Sequence, residues 1–303
     1  MRVRKCIAMA AFMAAGAVAP AVSGAGNAVA DNDCPSVEVI AIPGTLETGP
    51  HRLDGVRGHG MLSGVTNGLG DSHQVDYIDY PATAVWWDGE VYGTSKHKAV
   101  DNARGLIAEM AARCATTQFA VVGYSQGADA AGDLAAEIGT GHGVIPPERF
   151  AGAGLISDPS RSPADIQVGP PAPGAGAEGS RPGGFGFVND RVRTVCIADD
   201  LYCATDEQDY VSRLAGLIVR GTEMNPAGLW RDMLDTGVWI GDLGAHGGIP
   251  TLASQMSRQS YEDLIDKVQS FLQSGAHVAY PRYQVGDGQN AIGWMHDYVA
   301  GMG

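Results

Sequence analysis

Short apolar runs alternate with amphipathic stretches along most of the chain. SVEVIAIPG (36–44) reads as a strand closed by a Pro-Gly turn, and HQVDYIDYP (73–81) as a second, less apolar strand in which Val75, Tyr77 and Asp79 alternate. TQFAVVG (117–123) is continuously apolar, as a strand covered on both faces must be. AGAGLISDP (151–159) and RVRTVCIAD (191–199) bring the count of predicted strands to at least five. Between them, Val100, Ala103, Leu106, Ile107 and Met110 recur at helical spacing within 97–113, and small residues fill a predicted helix from about 126 to 138. A last helix is predicted over about 290–300, with Ile292, Trp294, Met295, Tyr298 and Val299 apolar.

Strands that alternate with helices predict an α/β fold, a parallel sheet with helices on both faces. Sites in that architecture form at the carboxyl ends of the strands, which here carry PGTLETG, GYSQG, SDP and ADD. The Pro/Gly-rich stretch 159–186 reads as an irregular, mobile loop. Residues 204–275 differ in character. Three apolar helical stripes run through them, one on Val211, Leu214, Leu217 and Ile218, one on Leu229, Trp230, Met233 and Leu234, and one on Leu264, Ile265, Val268, Phe271 and Leu272. They read as a helical insertion over the sheet, although the third stripe could equally belong to the sheet's own cover. No internal repeat is visible.

The N-terminus changes the picture of where the chain works. A basic start, Met1-Arg2-Val3-Arg4-Lys5, leads into an apolar stretch that ends in Ala28-Val29-Ala30. This is the pattern of a secretory signal peptide over residues 1–30, leaving one large domain over 31–303. A retained membrane anchor fits less well, because Gly16, Pro20 and the polar SGAGN interrupt the run short of the ~20 residues a span needs. The leader carries three of the 20 basic residues and none of the 34 acidic ones, so the remaining chain sets 17 against 34, a net −17. That charge argues against nucleic acid and against charge-driven membrane binding. Cys6 leaves with the leader. The four cysteines that stay, Cys34, Cys114, Cys196 and Cys203, imply two disulfides with three possible pairings, and the nearness of Cys196 to Cys203 favours pairing those two. Their spacings suit no zinc site, so no metal is expected.

Against this frame the string Gly123-Tyr124-Ser125-Gln126-Gly127 gains meaning. In a chain with 43 glycines, G-x-S-x-G decides little by itself. Here, however, Ser125 follows a predicted buried strand and precedes a predicted helix, the strand–turn–helix that an exposed nucleophile requires. A neutral serine needs a base for its proton and N–H donors for the oxyanion that develops. The N–H of Gln126 is such a donor by position, at the positive end of the helix dipole.

These residues resemble the cutinases, specifically the exported cutinase-like esterases of actinobacteria. GYSQG resembles the family's nucleophile motif. PGTLETG resembles its oxyanion loop, which implies Thr45 as a second oxyanion contributor. Cys34 and Cys114 fall where the family places its first disulfide, and CIADDLYC (196–203) resembles the C-x3-D-x2-C segment whose short disulfide loop presents the triad aspartate. That spacing implies Asp200 rather than Asp199. HVAY (277–280) resembles the segment bearing the catalytic histidine, which implies His277. The matches span residues 34 to 280, in the Ser–Asp–His order of an α/β-hydrolase. The chain departs from a compact cutinase in the ~75 residues between Asp200 and His277, and His246 and His296 also follow Asp200. The implied activity is a serine esterase or lipase working through an acyl-enzyme, without metal or organic cofactor.

Leu229 and Trp230 of the insertion, with Trp86 and Trp87 after the second strand, are candidate walls for a long acyl chain, or equally the insertion's own packing. A lipid or long-chain ester is the expected substrate. Relatives of this architecture act on cell-envelope lipids and cutin-like polyesters, and an inserted helical segment also marks phage mycolyl-arabinogalactan esterases; the leader and paired cysteines fit a bacterial exported protein better. A mycolyl-type acyltransferase would use the same residues. A non-catalytic envelope lipid-binding protein is the competing class, and no replaced triad position favours it. The oligomeric state is not legible.

Overall fold

The computed structural model describes residues 34–83, 90–206, 250, 266, 270–271 and 273–303. The expected leader 1–30, Trp86, Trp87, Leu229, Trp230, His246 and most of the expected insertion 204–275 lie outside the described residues.

Five strands form one parallel sheet in the order β2-β1-β3-β4-β5: β1 (Val37–Ile42), β2 (His73–Tyr77), β3 (Gln118–Tyr124), β4 (Phe150–Ile156) and β5 (Val192–Val195). Every predicted strand is present; four are shortened at the polar carboxyl end, where the chain forms loops, whereas β3 runs one residue further, to Tyr124. The α-helices with described bounds are the short α1 (Ser63–Thr66), then α2 (Tyr92–Arg113), α3 (Gln126–Gly139) and α4 (Ala291–Ala300). α2 begins five residues before its predicted start. Its first turns bury Tyr92, Ser95 and Lys96, and a buried polar face leaves no hydrophobic period to read. A two-stranded antiparallel pair, β6 (Gln284–Gly286) and β7 (Gln289–Asn290), was not foreseen.

Strand alternation sorts the core into two layers. Ile40, Ile42, Phe119, Val121, Ala153 and Leu155 face α2 and α3. Val37, Val39, Ala41, Ala120, Val122, Ile156 and Val195 face α4 and the α1 region through Leu62, Val65, Ile292, Met295 and Val299. Fully burying each such aliphatic side chain contributes about 1.5–3 kcal/mol, so the sheet is held from both sides. Gly154 lets α4 lie close, since a Cβ there would fall 2.3 Å from Met295 Sδ. The disulfide Cys34–Cys114 ties the entry to β1 to the end of α2, and Cys196–Cys203 closes a seven-residue step after β5. The segment 159–186 is irregular as expected but pinned in place. Buried Arg161 donates to the carbonyls of Cys203, Pro173 and Gly174, and buried Arg181 to three aspartates.

One buried carboxyl sets a pH dependence. Glu38 of β1 is fully buried, with neither oxygen given a donor by the surrounding protein. The register places Glu38 opposite Gln74 and Ile40 opposite Asp76, so Glu38 and Asp76 are diagonal neighbours on one face. Burial first, then the hydrogen bond and like charge of Asp76, push the Glu38 pKa up to about 9, opposed by the Arg113 charge. At neutral pH Glu38 therefore keeps its proton. Unfolded, Glu38 ionises at its ordinary value of 4.5. Between those values the folded chain holds the extra proton, so stability falls as pH rises through the window. Glu38→Gln keeps a donor toward Asp76 and cannot ionise. It is expected to raise stability at pH 8 by about 1–3 kcal/mol and to flatten the pH slope in urea titrations. A slope unchanged by the substitution would contradict a proton retained on Glu38.

Candidate active site

β3 delivers the chain straight into Ser125, whose backbone turns over at φ 58° and ψ −125° before α3 begins at Gln126. That conformation is disfavoured for a residue with a Cβ, at a cost of about 1–3 kcal/mol. Surrounding bonds hold it: the Ser125 N–H donates to Ile156 O at 2.9 Å, and its carbonyl accepts from the N–H groups of Ala128 and Asp129. The flanking glycines are required by space. A Cβ on Gly123 would stand 2.2 Å from Gly127 O, and one on Gly127 only 1.9 Å from Ile42 O. The turn is thus wedged between the ends of β1 and β4, with Ser125 Oγ directed to the carboxyl edge of the sheet.

Three sequence-predicted residues meet there. His277 Nε2 lies 2.9 Å from Ser125 Oγ. Its Nδ1 lies 3.0 and 3.1 Å from the two oxygens of Asp200. His277 sits in a single 3-10 turn, Ala276–Val278, entered through Gly275 at φ 64°, a left-handed conformation that glycine adopts without penalty. Tyr124 Oη donates to the His277 carbonyl at 2.7 Å, and the Tyr124 and Tyr202 rings flank the imidazole. Of the alternative histidines, His296 is on α4, where Nδ1 bonds Val65 O at 2.8 Å; His246 is outside the described residues. Asp199 is exposed, whereas Asp200 is fully buried inside the Cys196–Cys203 loop.

Asp200 is surrounded by donors. Ser157 Oγ donates to Oδ2 at 2.6 Å, Tyr280 Oη to Oδ2 at 2.7 Å, and the Tyr202 N–H to Oδ1 at 3.1 Å. Burial alone would raise its pKa, but the hydrogen bond and charge of His277, with the bonds from Ser157 and Tyr280, outweigh it and hold the carboxyl below its ordinary value. Burial and the adjacent Asp200 carboxylate push the Tyr280 phenol well up, so it stays a donor. The carboxylate is kept ionised against the imidazole, the arrangement that fixes the tautomer with a proton on Nδ1 and leaves Nε2 free to take one.

The oxyanion candidates lie on either side of the nucleophile turn. Gln126 is the first residue of α3, and its N–H belongs to the set that finds no acceptor within a helix. Its buried side chain donates to Thr83 O and Tyr92 O, anchoring α3 to α2. Thr45 follows Gly44, whose absent Cβ would meet Tyr124 Cδ1 at 2.8 Å, so the loop after β1 passes beside the residue preceding Ser125. Glu47 holds that loop: its oxygens accept from Gly44 N at 3.0 Å and Met61 N at 2.8 Å.

Sequence reasoning missed Ser157, Tyr280, Glu47 and the group behind α3. In that group Lys96 and Arg181 bridge Asp129, Asp133 and Asp158, all buried, joining α2, α3, the end of β4 and the 159–186 segment. Burial, against the countering charge of Arg181, raises the Asp158 pKa to about 6. The group fixes both the start of the nucleophile helix and the residue after Ser157. Ser157 and Asp158 left a trace in the polar SDP at a predicted strand end, Glu47 in PGTLETG and Tyr280 in HVAY, but nothing local showed what their side chains bond. Among the described residues, no cluster of three or more His, Cys, Asp or Glu is placed to hold a metal ion.

Residues 33–214 match the Cutinase family profile. A carboxylesterase Culp6 homolog of Corynebacterium glutamicum is 33% identical over 204 residues, covering 56% of this chain; the chain spans 65% of that relative's length. Lysin B from Mycobacteriophage D29 superposes with a TM-score of 0.51 at 17% identity, over 88% of this chain and 98% of its own. The catalytic core domain of acetyl xylan esterase from Trichoderma reesei superposes with a TM-score of 0.45 at 20% identity, over 68% and 99%. With the family profile matched over more than half of its length and an α/β-hydrolase sheet beneath the site, the chain belongs to the cutinase family.

Proposed function

We propose that the protein is an exported serine esterase that hydrolyses lipid or long-chain carboxylic esters. The observation that carries this reading is the unbroken relay from Asp200 through His277 to Ser125, set on the strained turn between β3 and α3. His277 Nε2 takes the Ser125 proton as Oγ attacks the ester carbonyl, while Asp200 balances the imidazolium. The Gln126 N–H and Thr45 hold the tetrahedral oxyanion, a contribution of about 3 kcal/mol per donor. Collapse expels the alcohol, which takes the proton from His277. A water then repeats the sequence on the acyl-serine, with His277 as base, and releases the acid. The family membership and the carboxylesterase relative support the reaction class. The leader-like N-terminus, the two disulfides and the acidic balance of the remaining chain support export.

Hydrolysis rates on p-nitrophenyl esters of increasing acyl length test the substrate class. The expected result is kcat/KM rising from acetate to chains beyond about eight carbons. A preference for acetate, with activity falling beyond that length, would exclude long-chain esters and leave a short-ester hydrolase.

A further inference from the structure

Ser157 stands where a glycine would be easier. It follows β4 as Ser125 follows β3, on the neighbouring strand, and both have φ 58°. Their amides extend the parallel ladder in the same way, Ser125 N–H to Ile156 O and Ser157 N–H to Val195 O. In this left-handed region a Cβ is a liability, and a glycine would carry the same backbone bond without it. The Ser125 hydroxyl accounts for the serine at 125. Something of comparable value must account for Ser157, which is fully buried and beyond the reach of a substrate bound at Ser125 Oγ.

Its hydroxyl reaches both members of the catalytic pair. Oγ donates to Asp200 Oδ2 at 2.6 Å and lies 3.1 Å from His277 Nδ1. The same oxygen therefore touches both members of the relay. With its one proton directed to Asp200, its lone pairs face the Nδ1–H, which it accepts in a shared bond beside the carboxylate. Tyr280 anchors Oδ2 from another direction and the Tyr202 amide anchors Oδ1. Neither of those groups bonds the imidazole.

We propose that Ser157 is a positioning residue for the Asp200–His277 pair, fixing the plane of the carboxylate and supporting the imidazole at Nδ1 when it becomes positively charged. No proton leaves Ser157 in this role. Because the ring is charged only after Ser125 has given up its proton, the effect falls on turnover rather than on substrate binding. This rests on the esterase reading, and its test separates the two.

Ser157→Gly relieves the left-handed backbone and removes the hydroxyl, while Ser157→Ala removes the hydroxyl and keeps the backbone cost. On a soluble p-nitrophenyl ester both are expected to lose about 10- to 100-fold in kcat, the scale of one hydrogen bond to a charged group, with KM changed less than about two-fold. The glycine variant should melt above the alanine variant, because only glycine relieves the backbone. Activity tracking melting temperature, with Ser157→Gly equal to wild type, would overturn the proposal. A second readout needs no turnover. In protein labelled with nitrogen-15 at histidine, the His277 Nδ1–H resonance should shift on Ser157→Gly, and an unmoved resonance would also overturn it. If wild type failed to hydrolyse esters yet the resonance moved, the esterase reading would fall and the positioning role would stand.

Discussion

Ser125→Ala is expected to lower kcat for ester hydrolysis by about 10⁴- to 10⁶-fold, leaving only what the oxyanion donors and binding supply over water. The fold should not notice. Ser125 holds φ 58° through backbone bonds, from its N–H to Ile156 O and from Ala128 and Asp129 to its carbonyl, and alanine keeps all of them. Alanine also keeps the Cβ, so the backbone cost of about 1–3 kcal/mol remains. Ser125→Gly makes the internal control. It should be as inactive as the alanine variant but more stable, by about 1 kcal/mol, because glycine adopts the turn without penalty. Steady-state kinetics beside urea unfolding of the three proteins checks both halves. Substantial hydrolysis by the alanine variant would remove Ser125 from the chemistry.

The second large effect belongs to Asp200. Every direction around its carboxylate holds a donor: Ser157 and Tyr280 hydroxyls at Oδ2, the Tyr202 amide at Oδ1, and His277 Nδ1 between them. An asparagine must place an NH2 among these donors. The Tyr202 amide cannot rotate, whereas the two hydroxyls can turn to accept, so the NH2 settles at the Oδ2 side, next to His277 Nδ1. There it favours the imidazole tautomer that accepts at Nδ1 and carries its proton on Nε2, which cannot take the Ser125 proton. The negative charge that balances the imidazolium is lost as well. Asp200→Asn is therefore expected to lower kcat by about 10³- to 10⁴-fold with little change in KM. The folded carboxyl titrates below its ordinary value, so it contributes stability above that value and loses it as pH falls through the lowered one. The asparagine variant should accordingly lose less stability on acidification than wild type. A variant with near-normal kcat would mean that the Asp200–His277 bond is structural.

The parts of this molecule that were legible in the sequence are those whose signal is local. Apolar runs announced β3 and β4, and β1 apart from Glu38, because a parallel strand buried on both faces has little polar side to show. GYSQG and CIADDLYC marked Ser125 and Asp200, the proposed nucleophile and acid, because a strained turn and a short disulfide loop impose spacing on neighbouring residues. What stayed hidden was polar and assembled across distance. Lys96, Asp129 and Asp133, with Arg181 from a segment that composition marks as a mobile loop, form a buried network that hydrophobic periodicity cannot detect. Ser157 and Tyr280 reach Asp200 across 43 and 80 residues of sequence. Glu47 lies inside PGTLETG, but no local pattern shows that its two oxygens accept from the amides of Gly44 and Met61.

The account turns on Ser125 being an activated nucleophile, and intact-mass analysis after treatment with a fluorophosphonate tests that directly. On the oxidised protein comprising residues 31–303, we expect a single adduct that is absent from Ser125→Ala. An unlabelled wild type that is demonstrably folded, or an adduct that persists in the alanine variant, would contradict the account.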